Sequence, residues 1–492
     1  MSAPSAIAHL RNYASAGMII ALAGLVTFPM LTRSLSVVEY GILGLITSSL
    51  TFFIAIGKLG VQHSVIRFFA QVKNSTITFS VVQMNSTASM LFLILGLLTA
   101  TLWLILGRVV LPTVIDYEYT SSLVTIAAAL IFMRLLGSGV INFLRAQQRS
   151  GVVATVTLIM RSLYVALIVL AVFLSDINPF YVIVCLLVAE IVGVSYAARQ
   201  YWPSFEFNFA DVSTPLAKAM LLYGMPLMLL ESLGLILRLS DRYLIGALLD
   251  DNALGMYSAS YNFTSYLDAI ILVSLAQAIK PMYMEMWESA GSEKTQQFLS
   301  QGFHLFMVLG IPFVAIFSLV GPHMLNFLAS PKYAAGTVII PFVAFSYLLE
   351  GGVHFLAAGL YIQKNTKVLM FWGLIATIVN AALNLVVIPR VGIVGAAAVT
   401  IVSYAIFMLG VSRSAFKFVA LNINLRTPAI IAFVSVVVYF LGYQVSYGSD
   451  LVSFIVKGMI STIALSMLVY CTDSPVRQLV LQWRYRQFTK PS

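Results

Sequence analysis

Long apolar runs separated by short polar breaks dominate this chain. A helix of about 20 apolar residues crosses roughly 30 Å of hydrocarbon, and the runs reach that length. Runs this long favour helices over the alternating segments of about 10 residues that are typical of a membrane β-barrel. The pattern therefore predicts an all-α integral membrane protein with fourteen transmembrane helices. The predicted spans are 12–32, 40–63, 79–107, 121–146, 151–174, 178–199, 217–248, 254–280, 300–328, 333–362, 367–389, 393–418, 427–447 and 451–471.

The polar breaks also predict how these helices are grouped. Residues 1–200 form a first six-helix bundle, and the polar stretch 201–216 is a cytoplasmic linker. Residues 217–420 form a second six-helix bundle. Residues 421–492 hold helices 13 and 14 and a basic amphipathic cytoplasmic tail, which we expect to lie at the membrane interface. The first run is too long for a signal-peptide core, so we expect it to remain as the first helix.

Lysine and arginine in the loops predict the orientation, because cytoplasmic loops carry the excess of both. With the N-terminus inside, the inside segments hold 18 of these residues and the outside loops hold 4. Both termini are therefore predicted to be cytoplasmic, in a protein of the cytoplasmic (inner) membrane.

Composition narrows the function classes. The chain is 60% hydrophobic and 9% charged, whereas soluble domains carry about 25% charged residues. The net charge of +10 does not indicate nucleic acid, because no soluble domain gathers the basic residues on one face. Cys185 and Cys471 lie inside apolar runs, so no disulfide framework or CxxC site is expected. No Walker A, HExxH or GxGxxG motif occurs, so we predict neither an enzyme nor a bound cofactor.

Two short segments suggest an internal repeat. LSVVEYGILG (35–44) joins the first two predicted helices, and LLDDNALGMYSASYNF (248–263) joins the seventh and eighth. Gly41 and Gly255 occupy corresponding places, and the difference between their residue numbers is here called the repeat offset. An even number of helices per copy predicts parallel repeats, for which substrate is expected at their interface near mid-membrane. Chance similarity of a short turn is the alternative.

Four segments resemble the polysaccharide transporters that include Wzx-type flippases, in the multidrug/oligosaccharidyl-lipid/polysaccharide (MOP) exporter superfamily. They are LTRSLSVVEYG with GKLGVQHSVIRFF (31–41, 57–69), RLSDRYLIGALLDDNALGMYSASYNF (238–263), PKYAAGTVIIPFVAFSYLLEGG (331–352) and RVGIVGAAAVTIVSYAI (390–406). The resemblance implies two six-helix bundles around a central cavity that opens alternately to either side. It leaves the role of helices 13 and 14 open.

Charged residues inside the predicted spans are the candidate functional residues, because a lone ionised group at mid-bilayer costs at least about 2.5 kcal/mol. Arginine suits a diphosphate, since the guanidinium binds phosphate oxygens bidentately and stays charged in a partly dry cavity. Structural pairing, for example of Arg161 with Glu190, is the competing interpretation, and Lys58 and Lys457 lie near span ends where they can snorkel. The candidate substrate-binding residues are Arg134, Arg161, Arg238 and Arg242. The candidate ion-coupling carboxylates are Glu231, Glu350 and Asp268, with a proton or sodium ion as the coupling ion.

These features together predict a flippase that moves a lipid-linked oligosaccharide or polysaccharide repeat unit across the membrane by alternating access. The predicted partners are membrane lipid and a polyprenyl-diphosphate-linked saccharide, with polysaccharide-assembly proteins as further candidates and no nucleic acid. The main alternative is a cation-coupled multidrug or small-molecule exporter of the same fold. The absence of an acidic residue in the first helix disfavours that alternative. A membrane glycosyltransferase or polymerase is the third, and the short outside loops disfavour it.

Overall fold

The computed structural model describes residues 19–20, 22–114, 117–174, 176–267, 273–445, 448–478 and 481. Almost all of this part is α-helical, and it contains no strand. The helices are α1 (22–34), α2 (Val37–Gly57), α3 (Val61–Lys73), α4 (Val81–Val114), α5 (Thr120–Ala146), α6 (Ser150–Leu174), α7 (Pro179–Tyr201), α8 (Thr214–Leu248), α9 (Asp251–Leu267), α10 (Val273–Leu328), α11 (Ile340–Leu356), α12 (Ala358–Ile362), α13 (Thr366–Val391), α14 (Ile393–Ala415), α15 (Arg426–Gln444) and α16 (Asp450–Thr472). Short 3-10 turns lie at Trp202–Ser204, Phe209–Asp211 and Pro331–Ile339.

Local chemistry sets several helix ends. Ser36 and Glu39 form a capping box at the start of α2, in which the Ser36 amide donates to Glu39 Oε2 at 2.8 Å. The Asn178 side chain caps α7, whose first residue is a proline that has no amide to satisfy. Gly392, with a φ of 70°, separates α13 from α14. Gly291, with a φ of 81°, breaks α10 into two helical pieces.

With α2 and α3 counted together as Val37–Lys73, twelve helical segments in the described residues are long and apolar enough to cross a membrane, so the chain is a multi-pass membrane protein of all-α fold. The predicted spans 12–32 and 254–280 include residues outside the described part, so the total of fourteen stays a prediction. The predicted span 333–362 is divided into a 3-10 turn, α11 and α12. Of the predicted tail helix, 474–478 is helical and 482–492 lies outside the described residues.

The residues cluster into two compact units, Met1–Ala259 and Ser260–Ser492, here called unit 1 and unit 2. In unit 1, α5 packs against α4 and α7, and α8 packs against α2, α3 and α4. In unit 2, α10 packs against α11, α15 and α16. Helices α15 and α16, whose role the resemblance left open, are thus attached to α10.

The repeat offset recurs along the structure. When the offset is added to the residue numbers at which α7 begins and ends, the result is the residue numbers at which α14 begins and ends. In the same way, Val114 at the end of α4 corresponds to Leu328 at the end of α10. A hydrogen bond repeats at the same offset. The Asn208 amide donates to Ser86 Oγ at 2.9 Å in unit 1, and the Asn422 amide donates to Ser300 Oγ at 2.9 Å in unit 2. The arrangement of the copies around a cavity stays a prediction.

Candidate functional site

The turn between α2 and α3 brings polar side chains of unit 1 against α8. Gly60 begins α3 with a left-handed φ of 74°, which glycine adopts without steric cost. A Cβ atom on Gly60 would lie 2.0 Å from the carbonyl oxygen of Gly224 in α8, so only glycine permits this approach. The Ser64 hydroxyl then donates to the Met220 carbonyl at 2.6 Å and fixes α3 along α8.

This contact surrounds the Glu231 carboxylate with polar groups of α3. His63 Nε2 lies 3.6 Å from Glu231 Oε2, and the Gln62 amide donates to the same oxygen at 3.3 Å. The Lys58 ammonium also interacts electrostatically with Glu231. Since the side chains of His63 and Glu231 are 43% and 46% exposed, the carboxylate remains open to a small ligand or ion.

A second carboxylate of unit 1, Glu190 of α7, is paired more deeply. Arg134 Nε of α5 donates to Glu190 Oε2 at 3.2 Å, and the two side chains are 27% and 15% exposed. The hypothesis that Glu190 pairs with Arg161 was wrong, because α7 packs against both α5 and α6 and the arginine of α5 takes the carboxylate. Arg161 interacts electrostatically with both Arg134 and Glu190, and it forms no ion pair among the described residues.

These groups form one electrostatic neighbourhood, which we call the basic cluster. Lys58 interacts with Arg134 and Arg145 as well as with both carboxylates, so it links the two carboxylate sites. The basic cluster comprises Lys58, Arg134, Arg145, Arg161, Glu190 and Glu231. The cluster contains four basic groups and two acidic ones, so the basic groups outnumber the carboxylates. Such an excess inside an apolar helix bundle favours an anion nearby.

Arg242, another candidate, has a different environment. It is 5% exposed, and its Nη1 donates to Ser48 Oγ and to the Gly44 carbonyl of α2. Asp241, 1% exposed, accepts a 2.7 Å hydrogen bond from the Tyr257 hydroxyl of α9. These contacts join α8 to its neighbours. Arg238 lies four residues earlier on α8 and is half-buried.

The remaining candidates lie outside the basic cluster. Glu350 is half-buried on α11 of unit 2, and Asp268 lies outside the described residues. The suggestion that Lys457 snorkels was wrong. It is 6% exposed, and its Nζ lies 3.1 Å from His323 Nε2, so a histidine on α10 satisfies it within the protein. No group of three or more His, Cys, Asp or Glu in the described residues could hold a metal ion.

Sequence reasoning missed three members of the site: Gln62, His63 and Arg145. All lie at the end of an apolar run, where polar side chains are common and give no signal. The segment GKLGVQH (57–63) contained one usable clue, because paired glycines around a run end indicate a close turn.

The similarities to known proteins agree with this architecture. A family model described as "Polysaccharide biosynthesis protein" matches residues 12–287, and a MatE family model matches residues 226–386. An uncharacterized membrane protein of Methanocaldococcus jannaschii is 23% identical over 231 residues. That match covers 46% of this chain and 45% of the relative, so the chain spans less than half the length of this curated relative.

Among solved structures, the lipid II flippase MurJ in an inward closed conformation aligns with a TM-score of 0.76 and 13% identity, covering 95% of this chain and 99% of that one. An inward-facing MATE-family multidrug transporter of the MOP superfamily aligns with a TM-score of 0.65 and 13% identity, covering 81% and 94%. A MATE transporter of Vibrio cholerae aligns with a TM-score of 0.60 and 14% identity, covering 84% and 97%. Because the polysaccharide biosynthesis model matches more than half of the chain, this protein belongs to the polysaccharide biosynthesis protein family and has the fold of the MOP transporters.

Proposed function

We propose that the protein is a flippase that carries a lipid-linked saccharide with a diphosphate head group across the cytoplasmic membrane by alternating access. The basic cluster is the observation on which this proposal rests. Its excess of basic groups lies on helices of an apolar bundle, where an anionic cargo supplies the missing negative charge. The family assignment supports a saccharide cargo.

The cluster also offers a path for the head group. Arg145 lies at the predicted cytoplasmic end of α5, and Arg134 lies eleven residues earlier near the middle of the same helix. At 1.5 Å per residue the two are separated by about 16 Å along the axis. A diphosphate that enters from the predicted cytoplasmic side would meet Arg145 and Lys58 first and Arg134 and Arg161 deeper.

Arg161 gives the cleanest test, because its removal leaves no ion-paired carboxylate behind. The purified chain is reconstituted in liposomes with a fluorescent polyprenyl-diphosphate disaccharide, and translocation is followed by quenching with an impermeant reductant. We expect translocation by the wild type, weaker translocation by Arg161→Lys, and the weakest by Arg161→Ala. Arg390→Ala, which removes an exposed arginine outside the cluster, is the matched control.

Two outcomes would contradict the proposal. The first is an absence of translocation by folded wild-type protein. The second is wild-type translocation by Arg161→Ala. A covalently changed saccharide, seen by mass spectrometry of the recovered lipid, would instead favour a glycosyltransferase or polymerase.

A cation-coupled exporter of small molecules is the second candidate function. The MatE match over residues 226–386 and the MATE transporters among the similar structures favour it. The charge of the basic cluster opposes a cationic drug, because four basic groups would repel it. Efflux of a lipophilic cation from the same liposomes, with no movement of the lipid-linked disaccharide, would favour this alternative.

A further inference from the structure

Unit 2 contains a cleft with both polar and apolar walls that the basic cluster does not include. Its volume is about 980 Å³, which is at the upper end of the range of small-molecule sites. Its walls come from the second piece of α10, the segment between α14 and α15, and residues 474–478. The predicted orientation places this cleft at the cytoplasmic end of unit 2.

Amides are the most frequent kind of side chain along the cleft. Six of its fourteen lining residues are asparagine or glutamine, and none is lysine or arginine. These amides are Gln296, Gln297, Gln301, Asn422, Asn424 and Gln478. Each amide offers a carbonyl acceptor and two N–H donors, which match hydroxyl groups that both donate and accept. A phosphate or carboxylate ligand would find no lysine or arginine among the lining residues; His304 is already engaged by Asp473, and Glu293 on the wall would repel an anion.

Four of these amides have side chains available for a ligand. Gln297, Gln301, Asn422 and Gln478 are exposed and have no hydrogen-bond partner for their side chains among the described residues. By contrast, Asn424 Oδ1 already accepts a hydrogen bond from the amide of Arg426, the first residue of α15, at 3.0 Å. The available amides therefore come from all three walls, and those of α10 and of residues 474–478 are the glutamines.

A buried carboxylate holds the walls of the cleft together. Asp473 Oδ2 lies 2.7 Å from His304 Nε2 of α10, and Asp473 Oδ1 accepts from the Val476 amide at 2.9 Å. Asp473 is 2% exposed. Because one carboxylate orients the His304 ring and caps the helical segment 474–478, Gln478 is fixed relative to α10.

The first copy of the repeat shows that the fold does not require these amides. At the repeat offset, Asn422 and Gln297 correspond to Asn208 and Gln83. The other corresponding residues of the first copy are not amides. Gln296, Gln301 and Asn424 correspond to Val82, Thr87 and Ala210, and His304 corresponds to Met90. Moreover, Gln83 Oε1 accepts from the Ser80 amide in a cap, whereas Lys294 occupies the place of Ser80 in the second copy. Most of the lining amides are therefore particular to unit 2.

We infer that this cleft binds a neutral saccharide through Gln297, Gln301 and Gln478. The inference concerns binding alone and does not depend on translocation or on a diphosphate. Sugar hydroxyls exchange hydrogen bonds with the amides, while Phe298 and Leu305 supply apolar contact for the less polar ring faces.

Saturation-transfer NMR of the full chain in nanodiscs tests the inference. The probe is maltotetraose, and a galacturonate trimer is the anionic comparison. We expect maltotetraose to bind and the acidic trimer to bind far more weakly. The double variant Gln297→Ala/Gln301→Ala should weaken maltotetraose binding about tenfold or more through the loss of two amide hydrogen bonds. Gln363→Ala removes an exposed glutamine of unit 2 outside the cleft and should leave binding unchanged.

Three results would overturn the inference: no binding of maltotetraose at millimolar concentration, equal binding by the double variant, or tighter binding of the acidic trimer. Since both glutamines are exposed, the variant is expected to keep the melting temperature of the wild type, which is measured in parallel. The binding of maltotetraose is measured independently of translocation, so a negative translocation assay would contradict the proposed function and would not contradict this inference.

Discussion

A Cβ atom added to Gly41 would lie 2.7 Å from the backbone nitrogen of Gly255. These are the two glycines that the sequence placed at corresponding positions of the two copies. The same added atom would lie 3.0 Å from the Asp251 carbonyl oxygen, and one added to Gly255 would lie 2.0 Å from the Val37 carbonyl oxygen. Val37 and Asp251 are also related by the repeat offset. The two contacts are thus equivalent, and the starts of α2 and α9 cross with local two-fold character.

Gly41→Ala should therefore destabilise the protein. The obstructing atoms belong to the backbone of α9 and cannot rotate away, so we expect a loss of about 1–3 kcal/mol, as for overpacked cores. Gly234→Ala is the control, because an added Cβ there meets nothing within 4 Å. Alanine in that helix interior should be neutral or stabilising by up to about 1 kcal/mol. Thermal unfolding in detergent, followed by tryptophan fluorescence, distinguishes them. Equal melting temperatures for the two variants would mean that α2 and α9 do not cross this closely.

The apolar runs predicted most of the helices, and the two similar segments around Gly41 and Gly255 predicted the repeat. Both signals depend only on the local order of residues along the chain. The division of 40–73 into α2 and α3 depends on a turn in which Leu59 and Gly60 both have a positive φ, and Gly60 packs against Gly224 from a distant part of the chain. No local pattern contains that contact. The break in α10 is of another kind, because a Cβ atom added to Gly291 would meet nothing within 4 Å, and the interruption lies in the φ of 81° of this glycine within a polar stretch.

The candidate site was predictable only in part. Arg134, Arg161 and Glu231 stand out because charge is rare in an apolar run. The partner of Glu190 could not be predicted, since it depends on how α5 and α6 are rotated around α7. Lys58 stands out as a charge near a span end, but its electrostatic interaction with Glu231 depends on the tertiary structure, and His63, which also lies against Glu231, carries no signal in sequence.

The coupling hypothesis predicts the behaviour of two carboxylates. Protonation of Glu231 would remove its attraction to His63 and Lys58. Binding of a proton to Glu231 can therefore be coupled to the conformational state of the protein. We expect Glu231→Gln to lose the response of translocation to an imposed proton gradient while it keeps its fold, and Glu350→Gln to show the same loss. Liposomes with imposed proton or sodium gradients provide the measurement. If both variants translocate at the wild-type rate under both gradients, the carboxylates do not couple.

The attachment of α16 to α10 can be tested at Lys457. His323 Nε2 accepts from Lys457, while His323 Nδ1 lies 2.8 Å from Asp450 Oδ1. His323→Ala leaves the buried ammonium without this acceptor and should cost about 1–3 kcal/mol. The double variant His323→Ala/Lys457→Met should recover much of that loss, because an apolar side chain needs no partner. The melting temperatures of the wild type, the two single variants and the double variant together form a double-mutant cycle. A double variant that is less stable than His323→Ala would show that Lys457 has another essential contact.

The predicted topology leads to an accessibility experiment. Gly448 is exposed in the predicted outside loop between α15 and α16, and Gln363 is exposed in a predicted inside loop. In a background with Cys185 and Cys471 replaced by serine, Gly448→Cys should react with an impermeant maleimide in intact cells. Gln363→Cys should react only after permeabilisation. The reverse pattern would invert the orientation and move the amide-lined cleft to the outside.

The ion pair between Arg134 and Glu190 allows structural and cargo-binding roles to be separated. Arg134→Met alone leaves a carboxylate that is 15% exposed without its arginine, and the loss of one partner from a buried pair costs about 3 kcal/mol or more. The double variant Arg134→Met/Glu190→Met removes both charges, so it should regain stability and keep the net charge of the basic cluster unchanged. If Arg134 binds the diphosphate, this stable double variant should still translocate the lipid-linked disaccharide more slowly than the wild type, because the bidentate guanidinium is gone. Wild-type translocation by the stable double variant would show that Arg134 serves only to hold α5 against α7, and the head group would then rely on Lys58, Arg145 and Arg161.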